Sequence, residues 1–192
     1  MKKEILERYE HTEDGEIIVG VSAQKVEDLY NDFDKRSHFL KKDLNEDLVD
    51  YLADSVSEIG DEKFVIQFNL ETHAHNEDLS RVKNSIQNFF LYMQKLETKK
   101  MQGMIRTSLI LLFIGLIVAT LSILINKSEL VSNSVTWAVI AEGLTVAAWV
   151  SLWEALATFL IKWMPYKRKI SLYNKIQNAK IEFLFFQNHT LV

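Results

Sequence analysis

Two acidic residues interrupt a long apolar stretch in the second half of the chain. Glu142 and Glu154 lie within residues 135–164, where Lys162 is the only other charged residue. A carboxylate inside a membrane costs several kcal/mol unless it faces protein or water, so such acids are typical of ion pathways. A ring of acids contributed by several subunits attracts cations, and a cation pathway is therefore the first prediction. The alternative is that Glu142 is a protonated packing residue and that Glu154 lies at the membrane interface.

The residues around these acids form a seam of small and polar side chains at helical spacing. Its members follow one another in steps of 4, 4, 3 and 4: Gly143, Ala147, Ser151, Glu154 and Thr158. Residues at this spacing share one face of a helix. Small residues let membrane helices approach closely, and polar residues bond across helices or line wet cavities. We expect Gly143 and Ala147 to pack against another helix, and the polar members, with Glu142, to lie near the pathway.

A second group of residues with metal-binding chemistry precedes the first long helix. Glu71, His73, His75 and Glu77 would point the same way on an extended chain, which could hold a divalent metal. The same segment joins a predicted strand to a predicted helix. There Asn76 can cap the helix, and the acids suit its positive N-terminus. We favour capping and expect no metal site, with His73 and His75 as the candidate ligands if a metal does bind.

Motifs and composition argue against an enzyme and against a nucleic-acid-binding protein. The sequence contains no glycine-rich phosphate loop, no Gly-x-Ser-x-Gly and no His-Glu-x-x-His. Residues 1–80 carry 21 acidic and 9 basic side chains, a balance that disfavours nucleic acid. We therefore expect no catalytic residue, no cofactor and no nucleic-acid partner.

Two segments have the length and polarity of membrane-spanning helices. Residues 105–125 include 18 consecutive uncharged residues, and about 20 such residues cross a hydrocarbon core of about 30 Å. Residues 135–164 form the second predicted span, which Pro165 is expected to end. Tryptophans favour the membrane interface, so three of them are predicted anchors of this span: Trp137, Trp153 and Trp163.

The topology follows from the loop and from the basic residues. Residues 126–134 form a short extracytoplasmic loop, so the spans are predicted to make an antiparallel hairpin. Basic residues cluster at the other ends of both spans: Lys95, Lys99, Lys100, Arg106, Lys162, Lys167, Arg168 and Lys169. Since basic residues favour the cytoplasmic side, both termini are predicted to be cytoplasmic. Residues 165–192 are predicted to form a basic C-terminal segment, helical over 170–186, that lies against anionic headgroups.

The chain before the spans is predicted to form a small cytoplasmic α+β domain over residues 1–76. Its expected elements are strands over 16–21 and 63–70 and helices over 23–33 and 46–59. Asn45 is a good N-cap for the second helix, and Gly60 is a good terminator. The resulting order is strand, helix, helix, strand.

Residues 77–104 are predicted to form a long helix, or stalk, that leads into the first span. Its apolar side chains step by 3 and 4: Leu79, Val82, Ile86, Phe89, Met93 and Leu96. This stripe predicts either a coiled coil or a helix that packs on the small domain. Both alternatives connect the cytoplasmic domain directly to the membrane.

Tryptophans and a proline form a distinctive string in the second span, Trp149-Val-Ser-Leu-Trp153 followed by Trp163-Met-Pro165. Together with residues 29–34 and 39–44, this string resembles a family of uncharacterised bacterial two-pass membrane proteins. The resemblance implies two spans in a bacterial inner membrane and implies no activity. The family often has an Arg-Pro pair in place of Glu154-Ala155, which argues against a general role for Glu154.

Together, these patterns predict an α-helical membrane protein, in which a two-helix transmembrane hairpin carries a small cytoplasmic α+β domain through a long connecting helix. We expect a homo-oligomer in the lipid bilayer of the bacterial inner membrane. Its expected function is a small cation channel for monovalent or divalent ions, regulated by the cytoplasmic domain. The alternative is a membrane-anchored sensor or scaffold whose hairpin serves only as an anchor.

Overall fold

The computed structural model describes residues 6–31, 43–129, 131 and 134–185, and the chain divides into two compact units. The first, named here the sheet unit, is drawn from residues 1–95 and 169–192. The second, named the hairpin unit, comprises residues 96–168. The chain is mostly helical, at 69%. Parts of three predicted segments lie outside the described residues. They are residues 32–34 and 39–42 of the cytoplasmic domain, residues 130, 132 and 133 of the loop, and the C-terminal segment from residue 186 onward.

Three parallel strands form the sheet in the order β1-β2-β3. They are β1 (Ile17–Ala23), β2 (Phe64–Leu70) and β3 (Lys180–Phe185). The registers place Val19 beside Ile66 and Ile66 beside Ile181, so these apolar side chains share one face. The strands β1 and β2 occur where the alternating sequence predicts them.

The third strand corrects the prediction of a C-terminal helix over 170–186. The observed helix ends at Gln177, and the Asn178 side chain donates to the carbonyl of Asn174 at 2.8 Å. After this turn, Ile181 and Phe183 contribute to the core, while Lys180 and Glu182 alternate with them. That period of two fits a strand, and pairing with β2 supplies its backbone hydrogen bonds. The C-terminal segment therefore completes the sheet.

The helix between β1 and β2 is α1 (Glu46–Ile59), and both of its predicted ends are confirmed. The Asn45 side chain accepts a hydrogen bond from the Asp47 amide at 2.8 Å. Gly60 follows the helix with φ 72°, a conformation that favours glycine. The helix predicted over 23–33 is instead a single 3-10 turn at Val26–Leu29. It stops there because the Leu29 carbonyl accepts from the Asn45 amide, which holds the chain beside residues 43–45.

Two long helical stretches are the remaining long elements of the described chain. The first is α2 (Asn76–Asn126), and the second comprises α3 (Val135–Ala157), a π-helical turn (Thr158–Lys162) and α4 (Met164–Gln177). Both stretches are long and apolar enough to cross a membrane, with mean hydropathy of 2.9 and 1.7 in their most apolar windows. Pro165 does not end the second stretch, because it lies in the first turn of α4, where a missing N–H is tolerated.

The core of the sheet unit includes side chains from both long helical stretches. Val82, Ile86 and Phe90 of α2 are buried against the sheet residues, as are Tyr173 and Ile176 of α4. The Phe90 and Tyr173 rings lie 6.0 Å apart. The apolar stripe of the stalk therefore packs on the small domain, which is the second of its two predicted alternatives.

The hairpin unit is an insertion in the connection between two neighbouring strands. β2 and β3 are hydrogen-bonded partners, yet the whole hairpin unit separates them in sequence. A parallel pair usually needs only a crossover of a dozen or more residues. The chain that leaves the sheet unit after residue 95 must therefore return to the same unit by residue 169.

Replacing Ile176 with alanine should destabilise the sheet unit by about 2–5 kcal/mol, the usual cost of truncating a buried isoleucine. Ile176 is 0% exposed, whereas Leu184 of β3 is 49% exposed. Leu184→Ala is the matched control and should change stability by less than about 0.5 kcal/mol. Hydrogen exchange of the β2 amides in the full-length protein measures both effects. Equal protection in the two variants would show that α4 does not contribute to this core.

Candidate functional site

The hairpin unit is held together by a second seam of small residues, which differs from the predicted one. Its members recur every seven residues on each helix: Ser108, Gly115 and Ser122 on α2, and Ala141, Ala148 and Ala155 on α3. All six are buried. A seven-residue repeat keeps one stripe of a helix facing its neighbour. This seam therefore fixes the contact between the two helices.

The two helices approach each other closely at Gly115. A Cβ at this position would lie 3.0 Å from the Ser151 Cβ and 3.4 Å from the Leu152 Cδ2. A Cβ there would be in tighter contact than usual, so any larger side chain at this point would press against the facing helix. Close approach through small residues is the usual way in which membrane helices pack.

A polar cluster lies in the seam at the loop end of the hairpin. The hydroxyls of Ser122 and Thr145 are 2.6 Å apart and both contact the Ala141 carbonyl, at 3.1 Å and 3.0 Å. The Asn126 side chain donates to the Ser122 carbonyl at 3.0 Å. These groups satisfy one another within the hairpin, so they stabilise the helix pair.

Glu142 lies on the outer surface of the hairpin. Its side chain is exposed, and no described residue donates a hydrogen bond to its carboxylate or forms an ion pair with it. Trp149 and Trp153 follow it by seven and eleven residues, a spacing that places all three on one stripe of α3. Both indoles are exposed, at 69% and 70%. Among the described residues, no side chain balances this acid within its apolar stripe.

Glu154 has a different environment. Its carboxylate forms an ion pair with Lys162, and both side chains are half exposed. Thr158 lies between these two residues in the sequence and is buried. Its hydroxyl donates to the Glu154 carbonyl at 3.0 Å. Glu142 and Glu154 are 12 residues apart, which is about 18 Å along a helix. The structure therefore does not bring the two predicted acids together.

Only part of the predicted seam on α3 faces the other helix of the hairpin, since the Ser151 Cβ lies opposite Gly115. Gly143 and Ala147 are exposed, and a Cβ at Gly143 would meet nothing within 4 Å. Ser151 is half buried and donates to the Ala147 carbonyl at 3.0 Å. Packing through Gly143 and Ala147 remains a prediction for a contact with another chain.

The tryptophans predicted as interface anchors are accessible to different degrees. Trp137 is 40% exposed and lies in the first turn of α3, and Trp153 is largely exposed. Trp163 is half buried, and the Lys167 ammonium lies 5.1 Å from its ring centroid. A cation at this distance is attracted to the face of an indole. This pair stands at the basic end of the hairpin unit.

The histidine segment shows no metal-binding arrangement among the described residues. The His73 ring lies 4.6 Å from the Phe185 ring, and the His75 carbonyl accepts from the Leu79 amide at 3.1 Å. Asn76 is the first residue of α2 rather than the cap before it, so α2 begins one residue earlier than predicted. Glu77 lies in the first turn as predicted and pairs with Arg81 at 2.6 Å.

A polar groove of about 550 Å³ on the sheet unit is a feature that the sequence did not indicate. Tyr9 and Tyr51 stand on its walls, where their hydroxyls donate to the Glu58 carboxylate and the Gly20 carbonyl, each at 2.8 Å. Burial and the bond to Glu58 raise the pKa of Tyr9. Gln67 and Asn69 of β2 also line the groove. Its polar lining suits a small polar molecule better than an apolar one.

Comparison with protein-family models, with curated proteins and with solved structures gives no match for this chain. The resemblance to two-pass membrane proteins therefore stays a prediction. The functional argument depends on the geometry of the hairpin and on the chemistry of its residues.

Proposed function

We propose that this chain is a subunit of a homo-oligomeric two-pass protein of the bacterial inner membrane, in which several hairpins surround a cation pathway. The observation that supports this proposal is Glu142, an exposed carboxylate on an apolar helix without a partner among the described residues. In this proposal, Glu142 supplies the negative charge of the pathway. The cytoplasmic sheet unit regulates it through α2 and α4.

The surface of the hairpin unit supports insertion in a lipid bilayer. The most apolar windows of its two helical stretches are only 17% buried. Large apolar side chains such as Phe113, Val139 and Val150 are more than half exposed. Exposing so many of them to water would be costly, whereas lipid accepts them without penalty.

The strand pairing of the sheet unit supports a two-pass topology. β2 and β3 belong to one sheet, so the chain must return to the side of the membrane from which it left. If α2 crosses the bilayer, an even number of crossings is required. The basic residues at the ends near the sheet unit favour the cytoplasm for that side.

The charge on Glu142 supports an oligomer. An acid that faces lipid would cost several kcal/mol, and water or a neighbouring subunit removes that cost. Gly143 and Ala147 lie beside it and are exposed, so a second hairpin can approach this surface closely. Two helices cannot enclose a lumen, and a pathway lined by Glu142 therefore needs several copies.

The alternative function is a membrane-anchored sensor or scaffold. The polar groove on the sheet unit favours it, because a groove that holds a polar ligand would suffice for a sensor. In that case Glu142 would only pack against a neighbour. The oligomer size distinguishes the two functions.

The mass of the complex in lipid nanodiscs tests the proposal. We expect a ring of at least four copies, since fewer helices leave no room for a hydrated lumen. Native mass spectrometry gives the number directly, and a Gly143→Leu variant should reduce it by blocking the close contact. A monomer, dimer or trimer in a native lipid mixture would exclude the cation pathway and favour the anchored sensor.

A further inference from the structure

A groove of about 450 Å³ runs along one side of the hairpin unit at its loop end. Its apolar wall is formed by Ala119, Ile123, Ala148, Trp149 and Leu152. The small side chains of the two alanines create the space, and the indole forms one side of it. The groove lies wholly within the hairpin unit.

The two hydroxyls in the groove are already hydrogen-bonded, and the Asn126 side chain that also lines it donates to the Ser122 carbonyl. Ser122 and Thr145 line it, but their hydroxyls bond to each other and to the Ala141 carbonyl. A ligand in this part of the groove gains nothing from hydrogen-bonding groups of its own. The wall therefore suits an aliphatic chain.

The end of the groove nearest the loop carries a positive charge. Lys127 lines this end, and its ammonium forms no ion pair with any residue in the described part of the chain. Lys127 and Ala119 are eight residues apart, so the charged and apolar ends are separated by about 12 Å along the helix. A ligand that fits both ends has a negative headgroup and a hydrocarbon tail.

We infer that this groove binds one acyl chain of an anionic phospholipid, whose phosphate contacts the Lys127 ammonium. The inference rests on the membrane insertion proposed above, and it adds a specific lipid site on the extracytoplasmic leaflet. A neighbouring copy in the groove is less suitable, because copies related by rotation about the membrane normal hold their Lys127 residues at the same depth. Like charges at that depth repel.

Bromine on an acyl chain quenches a tryptophan that it touches, and Trp149 is a reporter in the groove wall. The experiment uses full-length protein in bilayers, with the other three tryptophans of the hairpin changed to phenylalanine: Trp137, Trp153 and Trp163. Brominated phosphatidylglycerol is titrated into a phosphatidylcholine host, and brominated phosphatidylcholine is titrated separately. We expect half-maximal quenching at an about fivefold lower fraction of the anionic lipid, since one lysine near the surface favours anionic lipid to about that extent.

Two pairs of variants assign the quenching to the groove. Lys127→Gln should abolish the fivefold preference, whereas Lys169→Gln removes an equal charge elsewhere and should retain it. Ala119→Leu fills the groove and should reduce quenching by both lipids by half or more. Thr120→Leu adds similar bulk at an exposed neighbouring position and should not.

Three results would overturn the inference. Equal quenching by the two lipids with no effect of Lys127→Gln would mean that no specific lipid binds. Absence of quenching by either lipid, in protein that has entered the bilayer, would mean that protein fills the groove. In both cases the proposed function stands. Protein that does not enter the bilayer would contradict the inference and the proposed function together.

Discussion

Replacing Gly115 with leucine is expected to separate the two helices of the hairpin. Even a single Cβ at this position would lie 3.0 Å from the Ser151 Cβ, and a leucine would place three more carbons in the same space. The neighbours at this point belong to the facing helix, so the clash cannot be relieved by one side chain alone. Overpacking of a core typically costs about 1–3 kcal/mol, and separation of the helices would cost more.

Thermal unfolding of the full-length protein in mild detergent measures this effect. We expect Gly115→Leu to lower Tm by about 10 °C, the shift that follows from about 3 kcal/mol in a protein of this size. Gly103→Leu is the matched control, since a Cβ at Gly103 meets nothing within 4 Å. It adds the same bulk on α2 and should leave Tm unchanged. Equal Tm values for Gly115→Leu and the unchanged protein would show that the helices do not pack through this seam.

The local elements of the sheet unit could be predicted because their signals are local. Asn45 and Gly60 mark the two ends of α1. They do so through a hydrogen bond and a backbone angle that depend only on neighbouring residues. The alternation in residues 64–70 gives β2 for the same reason. These positions needed no knowledge of distant contacts.

The third strand could not be predicted in this way. Residues 180–185 become a strand because β2 offers them a partner from more than 100 positions earlier in the chain. Their alternation, with Ile181 and Phe183 on the core face, was a usable signal. It was hidden by the helical spacing of Leu172 and Ile176 just before it, which indicated one continuous helix.

The packing face of α3 was also ambiguous in the sequence. The stripe of Gly143 and Ala147 and the stripe of Ala141, Ala148 and Ala155 both consist of small residues. Hydrophobicity does not distinguish them, because nearly every side of this helix is apolar. The matching seven-residue repeat of Ser108, Gly115 and Ser122 on the facing helix was the signal that could have identified the second stripe.

The surroundings of the two predicted acids could be foreseen only in part. Glu142 could be singled out from the sequence, since a charge in an apolar helix is conspicuous without any structure. That Glu154 pairs with Lys162 eight residues later was not foreseen. This pairing across the π-helical turn distinguishes the two acids and makes Glu154 the natural control for Glu142.

Replacing Glu142 with glutamine should reduce cation flux about tenfold or more. Glutamine keeps the size and hydrogen-bonding capacity of the side chain and removes its charge. Loss of about 1.4 kcal/mol of attraction for a cation lowers its local concentration tenfold, and a ring of subunits loses several charges at once. Glu154→Gln should keep flux within about twofold, because its charge is already balanced by Lys162.

Cation flux through proteoliposomes, at equal protein and equal oligomer size, tests the central claim most directly. The measurement compares unchanged protein, Glu142→Gln and Glu154→Gln, with a fluorescent indicator for the entering ion. We predict rapid flux for the first and third proteins and slow flux for Glu142→Gln. Equal flux in all three, or no flux above that of empty liposomes from a correctly assembled complex, would contradict a pathway in which Glu142 supplies the charge.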